Sequence, residues 1–309
     1  MEIKNKKGQL FTLMAIAILF LLFTSYGLYS IVSKNSSVKT RVKTMDSFVS
    51  SMESDLERKI YISGFRIIFL AENSIAKSGN YLDDFNNFFE NAIVNGSSNE
   101  EDSDILLGAT ISEIILSVQE DGQKLGIDVN LYDIDIDVGQ EDPWHVIVYM
   151  NYTLNVTDET NLARWDKKEN LKAHIPIKNF EDPLFLLNTG GLISRKFNST
   201  VFEGEYVSGN NVDGLLSHLN NGYYTNNSNA PSFIKRLEGK NEADINGIES
   251  FVDLGKLSTQ GITVQDKSVV DYIYFSSLNP TSYGVQGMPS WFKIDDLHID
   301  KYQVNGLLI

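Results

Sequence analysis

The segment LFTLMAIAILFLLFTSYGLYSIV, residues 10–32, is uncharged and largely apolar over its whole length. A helix of about 20 apolar residues spans the hydrocarbon core of a bilayer, whereas the apolar region of a cleavable secretory signal is shorter. Tyr26 and Tyr29 stand where a signal peptidase needs small side chains, so we expect the segment to stay attached. The sequence therefore predicts a transmembrane helix over residues 9–33, preceded by a basic leader over residues 1–8.

No later apolar stretch reaches spanning length, because Gly108, Ser112 and Glu113 interrupt the longest of them, residues 105–118. We therefore expect a single-pass protein of the cell membrane. The membrane is its first expected partner.

Charge is distributed unevenly along the chain. The first 45 residues carry seven basic residues and one acidic residue, whereas the remaining chain carries 19 basic and 40 acidic residues. Such an acidic body repels phosphate backbones, so we expect no nucleic-acid partner. The chain has no cysteine, which favours a prokaryotic surface protein over a disulfide-bonded eukaryotic one.

Orientation in the membrane is not decided by the positive-inside rule, because lysines flank the apolar segment on both sides. We expect a cytoplasmic N-terminus and an external body, because the leader resembles a cytoplasmic processing signal. The external body would also account for six Asn-x-Ser/Thr sequons as candidate glycosylation sites. These sequons begin at Asn35, Asn95, Asn151, Asn155, Asn198 and Asn226.

Past the membrane, apolar positions recur in steps of three and four from Val42 to Leu70, which predicts one long amphipathic helix. Ser78-Gly79-Asn80 supplies its stop, and Asn35-Ser36-Ser37 is a candidate kink between it and the transmembrane helix. We favour packing of this helix on its own domain, with a coiled-coil stalk as the alternative. Shorter helices are predicted at residues 82–94 and 105–124, so residues 34–125 form a helical stalk with supporting helices.

The hydrophobic period changes to two after residue 126, which predicts an antiparallel hairpin of Ile127–Val138 and Trp144–Val156, with Asn170–Ile177 as a third strand. The parity of apolar positions slips within the first strand, and a bulge near Tyr132 would reconcile the two halves. We expect residues 126–309 to form an extracytoplasmic α+β head, which makes the whole chain α+β.

Catalytic motifs are absent from the sequence. It has no nucleophile elbow, phosphate-binding loop, dinucleotide fingerprint or zinc-protease motif, and it has only four histidines. We therefore predict no catalytic residues and no enzymatic activity. Asp296-Leu297-His298-Ile299-Asp300 could place two carboxylates and an imidazole on one face of a strand, and a surface strand is the alternative interpretation.

The strongest metal candidate is the row Asp133, Asp135 and Asp137, whose spacing places three carboxylates on one face of a strand. Hard oxygen ligands of this kind suit Ca²⁺, so the row is a candidate calcium site. The alternative is a solvated outer face of an amphipathic strand. We expect no other cofactor.

The N-terminus resembles a known processing signal. Lys6-Lys7-Gly8-Gln9, followed at once by an apolar helix, resembles the class III signal of archaeal type IV pilin-like proteins. This resemblance implies a cut between Gly8 and Gln9, with Lys7 as the preceding basic residue. Leu13 stands where many such proteins carry a glutamate.

The body is similar to an uncharacterised group of archaeal single-pass membrane proteins. Four segments carry the resemblance: LERKIYISGFR at 56–66, FEDPL at 180–184, APSFIKRLEG at 230–239 and GMPSWFK at 287–293.

From these features we expect a pilin-like or envelope-structural surface protein that self-associates through its N-terminal helix. A surface module that binds glycan or protein is one alternative, which an exposed aromatic or acidic cleft would favour. A membrane-anchored hydrolase is another, which would need a pocket where His174 or His298 meets a carboxylate and a nucleophile.

Overall fold

The computed structural model describes residues 6–98, 101–102, 104–161 and 163–309, and over these it is an α+β protein. The described helices, in chain order, are α1 (Lys6–Ser78), α2 (Phe85–Asn95), α3 (Ile111–Gln123), α4 (Pro183–Asn188), α5 (Asp213–Asn221), α6 (Phe233–Leu237), α7 (Leu254–Thr259) and α8 (Asp271–Tyr274). The described strands are β1 (Ser97–Ser98), β2 (Glu101–Asp102), β3 (Ile127–Asp142), β4 (His145–Asp158), β5 (Arg164–Pro176), β6 (Thr225–Asn226), β7 (Ile248–Glu249), β8 (Ser282–Gly284) and β9 (Lys293–Asp295).

Helix α1 is continuous for 73 residues. The predicted helix from Val42 to Leu70 is confirmed, and the helix also runs without interruption through residues 35–37, the candidate kink. It ends at Ser78, and Gly79 follows with a φ of 69°, the left-handed conformation that closes many helices.

The apolar face of α1 is buried from Met45 to Leu70, which confirms its packing within its own chain. Its apolar N-terminal part behaves differently. Within residues 8–78, an 18-residue window has a mean hydropathy of 2.1 and is not buried at all. Among the described residues, α1 is the single helix long and apolar enough to cross a membrane.

The predicted helix at residues 105–124 is divided in two. A 3₁₀ turn covers Asp104–Leu106, Gly108 adopts a φ of 74°, and α3 begins only at Ile111. Thr110 and Glu113 form a reciprocal cap at its start, because the Thr110 N–H donates to Glu113 Oε2 at 3.1 Å. The sequence carries this Thr-x-x-Glu signature, which was missed because the apolar period runs on through Gly108.

The predicted hairpin is present as β3 and β4, and β5 completes a three-stranded sheet in the order β3, β4, β5. Pro143 and Trp144 form the turn, so β3 runs on to Asp142 instead of ending at Val138. Strand β4 begins one residue later than predicted, at His145, and ends two residues later, at Asp158. Tyr132 and Asp133 are exposed in succession, and Asp133 has a φ of 51°. This is the local geometry of the predicted bulge. Before it, the odd-numbered residues 127, 129 and 131 face the core, and after it the even-numbered residues do.

Strand β5 begins at Arg164, six residues before the predicted start at Asn170. Its first half, Arg164–Glu169, contains five charged side chains and no buried residue, so no apolar alternation marks it. Three further antiparallel pairs, β1 with β2, β6 with β7 and β8 with β9, are short and were not predicted.

The chain packs as two compact units that are discontinuous in sequence. The first contains the described residues up to Asp55, with Leu116–Tyr132 and Thr153–Lys168. The second contains Leu56–Ile115, Asp133–Tyr152 and Glu169–Ile309.

Each unit has its own buried apolar side chains. Those of the first include Met45, Val49, Val118, Val129 and Leu154. In the second, Gly64 brings α1 very close to the sheet, since a Cβ at this position would lie 2.3 Å from Ile175 Cδ1. Aromatic side chains fill much of this second core, among them Phe180, Phe185 and Phe292.

Candidate functional site

The predicted processing segment lies at the start of α1. Residues 1–5 of the leader lie outside the described residues, and the Gly8–Gln9 bond belongs to the first turns of the helix. Gly8 is exposed, and a Cβ added to it would meet no atom within 4 Å. Packing therefore does not require glycine at position 8.

The Asp133, Asp135 and Asp137 side chains are all exposed on one side of β3, as their spacing predicted. Asp135 Oδ2 lies 3.4 Å from Asn151 Nδ2, and Asp137 Oδ1 accepts a hydrogen bond from the Val138 N–H at 2.8 Å. Among the described residues, no three His, Cys, Asp or Glu side chains are grouped closely enough to hold a metal ion. The calcium site thus stays a prediction.

Five of the six sequon asparagines are exposed: Asn35, Asn95, Asn151, Asn198 and Asn226. The sixth, Asn155, is half-buried and lies beside Asp166. The five exposed asparagines are therefore accessible to modification.

His298 is not on a strand face with Asp296 and Asp300, as the sequence suggested. Strand β9 ends at Asp295, and His298 lies in the turns that follow, with 1% of its surface exposed. Its Nδ1 lies 2.6 Å from Asp295 Oδ1, and its Nε2 lies 3.0 Å from Glu249 Oε2. Asp296 and Asp300 are exposed. Glu249 was missed because it lies 49 positions away in the chain.

The two carboxylates determine the charge of His298. Burial alone would lower its pKa, but Glu249 and the hydrogen bond to Asp295 outweigh burial and raise the pKa to about 10. Burial opposes the charged form of Glu249 as well, and the imidazolium lowers the pKa of Glu249 to about 2. The His298 imidazolium and the Glu249 carboxylate therefore form a charged, buried ion pair at neutral pH, and Lys301 Nζ lies 3.3 Å from Glu249 Oε1.

A hydroxyl completes this cluster without forming a catalytic triad. Ser268 Oγ donates to Asp295 Oδ2 at 2.5 Å and so contacts the carboxylate rather than the imidazole. Ser268, Asp295 and Glu249 are fully buried. This arrangement holds β7, β9 and the turns after β9 together, and it offers a substrate no route to the serine. His174, the other candidate, is exposed, and its ring lies edge-on to His145 at 6.3 Å.

A second buried network surrounds Arg236 of α6. Its Nη1 donates to Asp182 Oδ2 at 2.6 Å and to Asp271 Oδ2 at 3.0 Å. Tyr224 Oη also donates to Asp182 Oδ2, at 2.8 Å. All four side chains are removed from solvent, so the network ties the starts of α4 and α8 to α6.

The first unit contains an open cleft of about 400 Å³ lined by polar side chains. Gln119 and Gln123 lie one turn apart on α3, Asp128 and Asn130 alternate on β3, and Thr157 comes from β4. Within the described part of the chain, the Gln119 and Asn130 side chains make no hydrogen bond. These amide, carboxylate and hydroxyl groups can exchange hydrogen bonds with a polar ligand. Sequence analysis missed the cleft because its residues come from three elements.

Comparison of the sequence with protein-family models, with curated proteins and with solved structures returns no match.

Proposed function

We propose that the protein is a membrane-anchored surface protein of the pilin-like or envelope-structural kind, held in the bilayer by the N-terminal part of α1. The carrying observation is the change in burial along this one helix. Its apolar N-terminal window contains no buried residue, whereas Met45, Leu56 and Ile60 further along are fully buried.

An apolar stretch of this length must be shielded from water. An exposed apolar surface of this size is rare on soluble proteins, and the hydrocarbon core of a bilayer covers a helical segment of about 20 residues. The hydroxyls of Thr12, Thr24 and Ser25 donate to carbonyls of the preceding helical turn, which suits polar side chains in a lipid environment.

We further propose that the N-terminus is cytoplasmic and that the leader is removed after Gly8. Two observations support processing: the basic residues of the leader precede an apolar helix, and packing does not account for glycine at position 8. Removal of Lys4, Lys6 and Lys7 would leave few charges to hold the helix at the interface, which suits self-association of α1 in a filament.

Mass spectrometry of the N-terminus of protein from its native membrane tests this proposal. We expect a mature chain that begins at Gln9 in the wild type and an uncut, inserted chain in Gly8→Leu. A matched Gly27→Leu variant, also without an atom near its Cβ position, should still be cut. Native protein that retains Met1–Gly8 would contradict the pilin-like function and leave a plain signal-anchored surface protein.

The polar cleft favours a second candidate function, a surface module that binds glycan through Gln119, Asp128 and Asn130. Saturation-transfer NMR against a panel of oligosaccharides tests it. We expect a bound saccharide whose signal disappears in Gln119→Ala/Asn130→Ala and persists in Gln260→Ala, an exposed control. Equal signals in both variants would contradict this function.

A further inference from the structure

The first unit contains a groove of about 760 Å³ beside α1, which we call the Arg41 groove. It is lined by Tyr29, Ser33, Ser36, Thr40 and Arg41 of α1 and by Thr160 from the connection after β4, among others. Positions 29, 33, 36 and 40 follow one helical face. The groove thus begins with an aromatic side chain inside the apolar segment and continues past that segment along hydroxyl groups.

Arg41 is held at the far end of this groove. Its Nη2 donates to the Gly126 carbonyl at 2.6 Å, and its Nε is paired with Asp158. The Asp158 side chain is fully buried and also accepts hydrogen bonds from Thr160, whereas 28% of the Arg41 side chain remains exposed. A guanidinium has five N–H donors, so these contacts fix its orientation and leave donors for a further acceptor.

The groove lies in a basic segment of an otherwise acidic chain. Four basic residues fall within the ten positions 34–43, namely Lys34, Lys39, Arg41 and Lys43. No acidic residue occurs between Gln9 and Met45. The three lysines are exposed, and none of them forms an ion pair with a residue that the structure describes. Because Asp158 neutralises Arg41, the lysines supply the net positive charge around the groove.

The position of the groove matches the polar layer of a bilayer. At 1.5 Å per residue, Ser36 lies about 6 Å and Arg41 about 14 Å beyond Val32, where the apolar segment ends. The headgroup layer extends about 5 to 8 Å on each side of the hydrocarbon core. Ser33 and Ser36 therefore lie at the depth of this layer, and Arg41 lies at the water-facing end of the groove.

We propose that the Arg41 groove binds the phosphate of an anionic phospholipid headgroup, with Arg41 and the Ser33 and Ser36 hydroxyls as donors, because the hydroxyls of Thr40, Thr44 and Thr160 already donate within the chain. Lys34, Lys39 and Lys43 attract the anionic lipid to the groove. This inference rests on the proposed membrane anchoring and adds a lipid class to it. It also accounts for the four cations on the side of the membrane where the positive-inside rule expects few.

Lipid selectivity of the full-length chain tests the proposal. The protein is reconstituted in vesicles of phosphatidylcholine with a minority of phosphatidylglycerol, excised with its surrounding lipid by a maleic acid copolymer, and its lipids are quantified. The attraction of one basic residue to an anionic surface corresponds to a preference of about fivefold for the anionic lipid over the neutral lipid. We expect phosphatidylglycerol to be enriched at least about fivefold over the bulk ratio. Ser36→Phe fills the groove but keeps the three lysines, so we expect it to lower the enrichment clearly below that of the wild type.

Ser54→Phe is the matched control, because Ser54 is also an exposed serine on α1 and lies outside the groove. It should keep the enrichment, and both variants should melt as the wild type does. A bulk lipid ratio in the wild type, or equal enrichment in the two variants, would overturn the proposal. Binding of inorganic phosphate to the wild type in pure phosphatidylcholine vesicles, without enrichment of phosphatidylglycerol in the mixed vesicles, would overturn it in favour of a free anion.

Failure of the membrane anchoring itself has a different signature. Alkaline extraction would then release the wild-type chain from the vesicles, whatever the lipid composition. A chain that resists extraction but shows no lipid preference would contradict the groove proposal alone.

Discussion

Arg236 Nη1 and Asp182 Oδ2 form an ion pair at 2.6 Å, with both side chains fully buried. The pair joins α6 to the residue that caps α4, where the Asp182 carboxylate also accepts the Leu184 N–H at 2.9 Å. Burial alone would lower the pKa of Arg236, but Asp182 and Asp271 outweigh burial. They raise the pKa above its ordinary value, so the guanidinium stays charged. Arg236 is therefore a fixed positive charge in the second core.

Removal of Arg236 should strongly destabilise the second unit. Arg236→Met leaves two carboxylates buried without their cation, and loss of one partner of a buried pair costs about 3 to 5 kcal/mol. Lys235→Met is the matched control, because Lys235 lies next to Arg236 but forms a partly exposed pair with Asp244, worth about 1 kcal/mol or less. Denaturant unfolding of the two variants measures both values, and equal losses would contradict a special role for the buried pair.

Two buried histidines should keep opposite charge states across the physiological pH range. The carboxylates beside His298 raise its pKa to about 10 against the effect of burial, whereas burial lowers the pKa of His218 to about 3. In NMR titrations of protein with labelled histidine, we expect His298 to stay protonated and His218 to stay neutral between pH 5 and pH 8. Titration of either ring within this range would contradict the assignment.

The same pKa shifts set the sign of the pH dependence of stability. The raised pKa of His298 gives a contribution that is complete below its ordinary value of 6.5 and is lost as pH rises towards 10. The lowered pKa of Glu249 gives a contribution that is complete above 4.5 and is lost as pH falls towards 2. Melting of the wild type should thus lose the stabilisation from this cluster on both sides of a window from about pH 4.5 to 6.5. His298→Gln should lack the alkaline loss attributable to this residue.

Local periodicity explains which parts of the fold could be predicted. The burial of Met45, Val49, Met52 and Leu56 follows directly from steps of three and four along one helix. The slip of parity in β3 similarly predicted the bulge at Tyr132 and Asp133, because a strand with one buried face cannot change parity without an extra residue.

Long-range polar pairing explains what could not be predicted. The sequence identified His298 but associated it with its neighbours Asp296 and Asp300, whereas in the structure it bonds to Asp295 and Glu249. The partners of Arg236 are likewise 35 and 54 positions away. Hydrophobic period carries no information on which distant carboxylate meets which cation, so these networks and the polar cleft emerge only from the packed chain.

The row of Asp133, Asp135 and Asp137 yields a metal-dependent prediction. If the row binds Ca²⁺, chelation removes a ligand that binds only the folded chain and lowers the melting temperature. We expect full-length protein in detergent to melt at a lower temperature in EDTA than in millimolar Ca²⁺. Asp133→Asn/Asp135→Asn/Asp137→Asn should remove the difference. Equal melting of the wild type in both buffers would leave the row a solvated strand face.

Close contact at Gly64 predicts that a single methyl group destabilises the second unit. A Cβ at Gly64 would lie 2.3 Å from Ile175 Cδ1 and 2.9 Å from Val148 Cγ2, both distances shorter than real contacts allow. Alanine is the better helix former, by about 1 kcal/mol, so propensity alone would make Gly64→Ala stabilising. Overpacking of a close core costs about 1 to 3 kcal/mol, and here we expect this cost to exceed the gain in helix propensity.

Ile175→Val removes the Cδ1 atom, so Gly64→Ala/Ile175→Val should be less destabilised than the sum of the single variants. A double-mutant cycle from denaturant unfolding measures this coupling, and additive losses would contradict direct contact between α1 and β5 at these residues.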